Sequence, residues 1–405
     1  MNIVERFIKY VKVDTQSDPN NMEAPSTKKQ LTLANILVDD MKAVGIGDAH
    51  VDTYGIVYGT LASNIDKKVE TIGFIAHMDT APDMSGENVN PRIIKNYDGG
   101  EIILNEALNI SMSPKMFDNL NGVIGKDIIV TDGTTLLGAD DKAGVTEIME
   151  MCKYFYEHPE VKHGTIKIAF TPDEEVGRGA DHFNVKKFAA DYAYTVDGGD
   201  INSIDYENFN AASAEVLIQG SSIHPGDAKD KLVNASKLAM EFHMLLPIEL
   251  DPAKTSGREG FNHLTYLNGH TEHAEMEYII RNHDKKLFEN QKEEFYHARD
   301  IMNEKYGDVI SVEIKDSYYN MANLIETRMS IVDDVKRIMK EMGLQPTSTP
   351  IRGGTDGSRL SYEGLLCPNI GTGGANFHGK YEYVCIQSME TIRDLIINIV
   401  KDKAK

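Results

Sequence analysis

Five short segments of the 405-residue chain contain the carboxylate and histidine side chains that a metal site requires. Imidazole nitrogens and carboxylate oxygens are the ligands of zinc-type hydrolytic sites, and a carboxylate can also bridge two ions. Consecutive acidic residues repel one another unless cations collect beside them. The set predicts a centre of two metal ions formed from His77-Met78-Asp79, Asp140-Asp141-Lys142, Asp173-Glu174-Glu175, Asp197-Gly198-Gly199 and His378-Gly379.

Hydrolysis of an amide bond is the chemistry that such a centre suits. An amide carbonyl is a poor electrophile and water is a poor nucleophile. A metal ion improves both, because it polarises the carbonyl and lowers the pKa of bound water from 15.7 toward about 7. If the chain is extended at Glu174-Glu175, one carboxylate can bind metal while the other acts as general base, and the residue types leave open which does which.

The spacing of His77 and Asp79 indicates a supporting role for the aspartate. Residues two apart in a strand share one face, so Asp79 can accept a hydrogen bond from the second ring nitrogen of His77. Such a partner fixes the tautomer of a metal-binding imidazole. We therefore expect Asp79 to orient His77 rather than to bind metal.

Strands and helices must bring these segments together. The clusters follow three apolar runs, which are residues 72–76 before His77, 166–170 before Asp173 and 192–196 before Asp197. Helical patterns cover residues 26–44, with Ser26 as N-cap, and 144–151, while Asp132-Gly133 fits a hairpin turn. Interleaved buried strands and helices predict an α/β domain with a covered, mixed and largely parallel sheet, whose site lies beyond the strand ends.

A second pattern interrupts this domain. From about residue 208 to 319 the order is strand, helix, strand, strand, helix, strand, which is the β-α-β-β-α-β arrangement of a small sandwich. The helix and loop pattern of the first part resumes afterwards. We therefore expect a catalytic domain of residues 1–207 and 320–405, and an inserted lid domain of residues 208–319.

Charge and composition exclude several function classes. Lys and Arg total 42 against 63 Asp and Glu, so the net charge of −21 disfavours nucleic acid and anionic membrane surfaces as partners. The residues after Met1 lack the unbroken apolar stretch of a secretion signal, and we expect no later apolar segment to be long enough to cross a bilayer. The three cysteines, Cys152, Cys367 and Cys385, show no metal or disulfide spacing, which fits a cytoplasmic protein.

Longer segments around these residues resemble the M20 family of metallopeptidases over essentially the whole chain. The matching segments are GFIAHMDT, LLGADDKAG, AFTPDEEVGRGA, YTVDGG, NFNAAS, HPGDAK, DSYYNM, IRGGTDG and NFHGK. The resemblance implies a catalytic domain interrupted by an α/β sandwich lid, Glu174 as general base and Asp79 as the orienting residue. It also implies two zinc ions, with Co²⁺ or Mn²⁺ as alternatives and Asp140 as the bridge, bound by His77, Asp140, Glu175, Asp197 and His378.

The same resemblance implies substrate contacts from the lid. His224, before Pro225, is the matching candidate for the substrate carbonyl, and Arg281 is the candidate for a substrate carboxylate. Arg352, expected on the catalytic side, is a third candidate. Each of these is an isolated residue in a short motif. The position of His224 directly before Pro225 by itself indicates a loop residue rather than a catalytic one.

The function implied is removal of the N-terminal residue from short peptides, chiefly tripeptides. Two alternatives use the same fold: a deacylase or carboxypeptidase with the same metal centre, and a relative that binds peptides without cutting them. Phosphate-ester chemistry is disfavoured because no phosphate-binding loop of known spacing is present. The expected partner is a short peptide, and pairing of two lids into a homodimer stays open.

Overall fold

Two compact units divide the chain in the computed structural model, which describes residues 1–405. Unit 1 comprises Met1–Tyr206, Leu324–Thr349 and Thr355–Lys405, and unit 2 comprises Glu207–Asn323 and Pro350–Gly354.

Arg352 therefore lies in unit 2, and its expected place on the catalytic side is wrong. The physical reason is backbone pairing. The N–H of Phe209 donates to the Ile351 carbonyl, and the N–H of Ile351 donates to the Glu207 carbonyl.

The chain contains ten α-helices, seventeen strands and five short 3₁₀ helices. The helices are α1 (Ile3–Val11), α2 (Gln30–Ala43), α3 (Ala139–Glu157), α4 (Val185–Phe188), α5 (Ala235–Leu245), α6 (Lys285–Tyr306), α7 (Ala322–Ile325), α8 (Ser330–Glu341), α9 (Asp356–Tyr362) and α10 (Ile386–Lys403). The strands are β1 (His50–Val51), β2 (Val57–Leu61), β3 (Ile72–His77), β4 (Arg92–Ile94), β5 (Ile102–Asn105), β6 (Ile110–Met112), β7 (Ile128–Val130), β8 (Ile166–Thr171), β9 (Tyr192–Val196), β10 (Ile204–Asp205), β11 (Asn210–Gln219), β12 (Phe261–Gly269), β13 (His273–Asn282), β14 (Ile310–Tyr318), β15 (Asn369–Ile370), β16 (Gly374–Ala375) and β17 (Tyr383–Cys385).

The main sheet of unit 1 has seven strands in the order β1-β2-β8-β3-β9-β15-β10. Pairing is parallel among β8, β3, β9 and β15 and antiparallel toward both edges. The α/β class and the mixed sheet predicted from the sequence are confirmed. Because β8, β3 and β9 are parallel neighbours, their carboxyl ends lie side by side at one edge of the sheet.

Helices bury the central strands on both faces. Every residue of β3 and β9 is buried. Ile75 packs with Phe188 of α4 and Leu360 of α9, while α3 also packs against β3 and β9. A glycine permits the close approach of α3, since a Cβ on Gly144 would lie 1.9 Å from the Val196 carbonyl oxygen.

Two smaller sheets complete unit 1. One has four antiparallel strands in the order β16-β17-β7-β4, and the other pairs β5 with β6. The loop between β16 and β17 carries His378, and the segment after β7 leads into α3. This sheet therefore fixes two segments of the candidate site.

Unit 2 has the predicted order β11, α5, β12, β13, α6, β14. Its four strands are antiparallel, in the spatial order β12-β13-β11-β14. Phe242 of α5 and both Phe288 and Phe295 of α6 pack with Val216 and Met276 of the sheet. The alternating pattern of β11 and the helical stripes of α5 and α6 thus meet in one core.

Two local expectations are wrong. Ser26 does not cap a helix, because α2 begins at Gln30 and the Ser26 hydroxyl donates to Asp173 instead. Asp132-Gly133 does not join two strands, since the chain passes from β7 through a loop into α3. Among the helices, none combines the length and the apolar character that crossing a bilayer requires.

Helix α1 is fixed to α3 by a buried ion pair, which gives a stability prediction. Arg6 Nε lies 2.6 Å from Glu150 Oε1, and the two side chains are 5% and 6% exposed. Arg6→Met leaves the buried Glu150 carboxylate with only the more distant Lys153, whose Nζ lies 3.6 Å away, so we expect a loss of up to about 3–5 kcal/mol in the free energy of unfolding.

Urea and thermal unfolding of wild type, Arg6→Met and the double variant Arg6→Met/Glu150→Met test this prediction. The double variant removes both charges and should recover a large part of the loss. A single variant that unfolds no earlier than the double variant would contradict the prediction.

Candidate metal centre

Three neighbouring strand ends supply most of the predicted site residues. His77 is the last residue of β3, Glu174 and Glu175 follow β8, and Asp197 directly follows β9. Since β3 lies between β8 and β9, His77 stands between the two acidic segments. Asp140 comes from the first turn of α3, and His378 comes from the loop between β16 and β17.

The five predicted ligands form two groups that share one residue. His77, Asp140 and Asp197 form one group, and Asp140, Glu175 and His378 form the other; within each group the potential ligand atoms all lie within 4.8 Å of one another. The two oxygens of Asp140 face different histidines. Its Oδ1 lies 2.9 Å from His77 Nε2, and its Oδ2 lies 3.6 Å from His378 Nε2. This is the geometry expected of a bridging carboxylate.

Asp79 is completely buried and connects two strand ends. Its Oδ1 lies 3.3 Å from His77 Nδ1, an ion-pair distance without the alignment of a hydrogen bond. The same carboxylate accepts the backbone N–H of Glu174 at 3.0 Å and that of Glu175 at 3.2 Å. Asp79 therefore fixes the turn that carries the two glutamates as well as facing the imidazole.

That turn is not extended, so the condition under which an extended chain would divide the roles of Glu174 and Glu175 is not met. Glu174–Val176 is a single turn of 3₁₀ helix, and Asp173 before it has a left-handed backbone with φ of 59°. The Asp173 carboxylate accepts the N–H of Ser26 at 2.6 Å and an amide N–H of Gln30 at 2.7 Å. The turn places the two glutamate side chains differently. Only Glu175 forms an ion pair with His378, with its Oε2 2.9 Å from His378 Nε2.

Neighbouring carboxylates favour the charged form of both histidines. For His378, Asp140 and Glu175 raise the pKa to about 11. Burial lowers the pKa of His77, but Asp140 and Asp79 outweigh burial and raise it well above its ordinary value. The two imidazoles in turn hold the pKa of Asp140 below its ordinary value, although burial alone would raise it.

The remaining carboxylates are crowded and poorly hydrated. Burial, with the neighbouring Asp140, raises the pKa of Asp197 to about 7. Burial also raises the pKa of Glu174 well above its ordinary value, and Asp356 adds to the rise. Each of these carboxylates therefore holds its proton more tightly than an exposed one.

This donor set fits two divalent ions. Imidazole nitrogen with carboxylate oxygen is a zinc-type set, and one carboxylate is placed to serve both ions. Glu175 Oε1 is buried and has no hydrogen-bond partner, so an acceptor is left for a cation. Two cations among these groups would replace the protons that the histidines and carboxylates otherwise retain.

Two aspartates of the site were not assigned roles from the sequence. Asp141 is fully buried and accepts the backbone N–H of His77 at 3.1 Å and that of Gly144 at 3.2 Å. Asp356 is 6% exposed and accepts a 2.7 Å hydrogen bond from the Thr171 hydroxyl. Both occur in the quoted motifs, but spacing alone does not indicate which backbone or hydroxyl group they meet.

The three predicted substrate contacts all lie in unit 2. The His224 side chain is 79% exposed, and its Nδ1 accepts the N–H of Gly226 at 3.1 Å. Arg281 donates to the Arg352 carbonyl at 2.7 Å, and its Nε is buried without a partner. The Arg352 guanidinium lies over Phe209 and Phe261 and donates to Gly257, Glu259 and Thr255. Arg352 is thus occupied in holding its own unit together.

The chain belongs to the peptidase family M20/M25/M40, whose family model matches residues 133–402. The relatives include Peptidase T from Alkaliphilus oremlandii, which is 52% identical over 403 residues, 99% of this chain and 98% of that protein. The M20 assignment expected from the motifs is confirmed.

Solved structures share the fold. The aminopeptidase PepT from Bacillus cereus gives a TM-score of 0.78 at 24% identity and covers 100% of this chain and 98% of that one. A tripeptidase from Staphylococcus aureus gives 0.80 at 21% identity, with 99% and 98% covered. The Bacillus subtilis YXEP protein, described as a dinuclear metal-binding peptidase of the M20 family, gives 0.66 at 12% identity, with 99% and 97% covered.

The raised pKa values of the two histidines predict that metal binding releases protons. Metal binds only the neutral imidazole, whereas His378 with a pKa of about 11 is protonated at pH 7 in the metal-free protein. We expect at least two protons to be released when Zn²⁺ fills both positions at pH 7, one from each histidine, and Asp197, whose pKa is about 7, adds to this release. The apparent affinity should also rise with pH across the neutral range.

Calorimetric titration of Zn²⁺ in buffers of different ionisation enthalpy counts the released protons. His378→Gln serves as the matched control, because it removes one protonated ligand and should release fewer protons. Binding enthalpy that does not change with the buffer would contradict this account of the site.

Proposed function

We propose that the chain is a two-metal aminopeptidase that removes the N-terminal residue from tripeptides. The observation that carries this proposal is the pair of ligand groups sharing Asp140, with Glu174 on the same turn as Glu175 but outside both groups. Membership of a peptidase family supports the reaction class. The names of the relatives, Peptidase T and tripeptidase, support the substrate class.

We assign zinc to both positions. His77, Asp140 and Asp197 would hold one ion, and Asp140, Glu175 and His378 would hold the other. When bound, the two ions supply positive charge that polarises the substrate carbonyl and lowers the pKa of water. The three cysteines are buried and unpaired, which suits the reducing cytoplasm that we propose as the location.

Glu174 is the general base in this proposal. Burial raises the pKa of its carboxyl, which makes the group a better proton acceptor once it is ionised. Glu174 would take a proton from the attacking water and then deliver it to the nitrogen of the departing amine. Its backbone N–H donates a hydrogen bond to Asp79, which fixes the turn that carries the carboxylate.

Unit 2 would recognise the substrate. Arg281 is our candidate for the far carboxylate of the tripeptide, because its Nε is buried and still without an acceptor. Arg352 is less suited, since both terminal nitrogens of its guanidinium already donate within unit 2. His224 is mostly exposed and is our candidate for the substrate carbonyl.

A deacylase or carboxypeptidase remains the main rival, because the same metal centre can cut a different amide bond when the recognition residues differ. A peptide-binding relative without catalysis is a weaker alternative. A protein that only binds peptide has no need of a glutamate placed beside the ligand groups and held there by a buried aspartate.

The role of Glu174 predicts a selective loss of turnover. Glu174→Ala removes the proton carrier but none of the five proposed ligands, so we expect both metal ions to be retained and kcat to fall by about 10²- to 10⁴-fold. Metal content by mass spectrometry and tripeptide hydrolysis before and after chelation test this. Glu87→Ala, at an exposed glutamate, is the control. Turnover of Glu174→Ala near the wild-type rate would remove Glu174 from the mechanism.

The substrate termini distinguish the proposal from its rival. We expect a free tripeptide to be hydrolysed, its N-acetylated form to resist and its C-terminal amide to show a raised KM. Arg281→Met should raise KM for the free tripeptide about 10- to 100-fold, since a charge-assisted hydrogen bond contributes about 1.5–3 kcal/mol, and should change KM for the amide little.

Hydrolysis of only the acetylated peptide would support the deacylase instead. If Arg281→Met leaves KM unchanged for both peptides, another residue binds the carboxylate.

A further inference from the structure

Glu382 is a buried carboxylate whose hydrogen bonds all reach one short segment of unit 1. The residue is 1% exposed and lies four positions after His378. Its Oε2 accepts the backbone N–H of Leu137 at 2.7 Å and that of Gly138 at 2.8 Å. Its Oε1 accepts the backbone N–H of Asp140 at 3.0 Å. Both oxygens are therefore engaged with the chain that enters α3.

These N–H groups need an acceptor from outside the helix. Backbone N–H groups that are buried need a hydrogen-bond acceptor, and the irregular backbone at the start of α3 offers them none. Gly138 is the N-cap of α3 and has no side chain to act as a cap, while Asp140 itself has a non-helical ψ of 106°. Glu382 supplies the missing acceptor from a distant part of the sequence.

Glu382 is also fixed relative to His378. Its backbone N–H donates to the carbonyl of Gly379, and β17 begins at the next residue, Tyr383. Strand β17 pairs with β7, so the position of this backbone is set by a sheet. A rigid connection thus runs from the His378 loop through the Glu382 carboxylate to the backbone of Asp140.

We propose that Glu382 is a positioning residue that holds Asp140, the residue shared by the two ligand groups, at the distance from His378 that two metal ions require. The inference rests on the proposed two-metal site. Asp140 must offer its two oxygens in two directions, and a small rotation of its backbone would move both. Glu382 would restrict that rotation without touching metal or substrate.

Another buried glutamate shows that burial alone does not give this role. Glu147 lies on α3, as Asp140 does, and is completely buried. Neither of its carboxylate oxygens has a hydrogen-bond partner. It provides a matched control, because Glu147→Gln changes a buried carboxyl on α3 without removing a hydrogen bond.

Glu382→Gln is the variant that tests the proposal. Glutamine has one acceptor oxygen, which can keep the bonds to Leu137 and Gly138 while its NH₂ group faces the N–H of Asp140. Such loss of an outer partner weakens metal binding by about 10- to 100-fold. We expect that loss for Glu382→Gln in a calorimetric Zn²⁺ titration, an altered visible spectrum of the Co²⁺-loaded protein, and wild-type behaviour of Glu147→Gln.

Glu382→Asp keeps the negative charge one methylene further from the amides and should give an intermediate affinity. Thermal unfolding of each metal-free variant separates folding from metal binding. If metal-free Glu382→Gln does not fold, the same titration and spectrum of Glu382→Asp decide.

A lowered melting temperature with unchanged Zn²⁺ affinity and an unchanged Co²⁺ spectrum would show a purely structural role and overturn the proposal. If the wild-type protein binds two ions and the variants bind them equally well, only the proposed role of Glu382 is wrong. Wild-type protein that binds no Zn²⁺ overturns the two-metal site as well.

Discussion

The buried carboxylate of Asp79 is the contact on which the candidate centre depends. It faces the ring of His77 and accepts the backbone N–H groups of both Glu174 and Glu175. One side chain thereby fixes the end of β3 relative to the turn after β8. Without it, the turn that carries the two glutamates would lose both backbone hydrogen bonds to the segment after β3, and the ring of His77 would lose the carboxylate beside its Nδ1.

The centre also concentrates negative charge where water is scarce, which is unfavourable unless positive charge compensates. In the metal-free chain the compensation comes from protons, since both histidines and several carboxylates have raised pKa values. The same groups are the ones a divalent cation would bind. The ligands therefore retain protons that two cations could replace.

Much of this arrangement could be predicted from the sequence, and the reason is geometric. Apolar runs that stop at polar clusters locate the ends of β3, β8 and β9, and parallel strands bring such ends to one edge. The order of strands and helices in unit 2 was equally readable, because periods of two and of 3.6 residues differ clearly. His77 and Asp197 follow directly from these rules.

What could not be predicted depends on contacts between distant segments. The 3₁₀ turn at Glu174 is fixed by Asp79, and the loss of the Ser26 cap follows from its bond to Asp173, 147 residues away. Residues 350–354 join unit 2 because Ile351 pairs with Glu207 and Phe209. No local periodicity encodes these pairings, so the position of Arg352 was wrong although its motif was recognised.

The acidic residues of the site divide into two kinds that look alike in the sequence. Asp140, Glu175 and Asp197 direct oxygens toward the two histidines and one another, where cations would lie. Asp141 and Glu382 direct theirs toward backbone N–H groups. An amide N–H satisfies a carboxylate without any metal, so the second kind can be complete before an ion binds. These backbone contacts are therefore independent of any ion, and metal binding would displace only protons on the side chains.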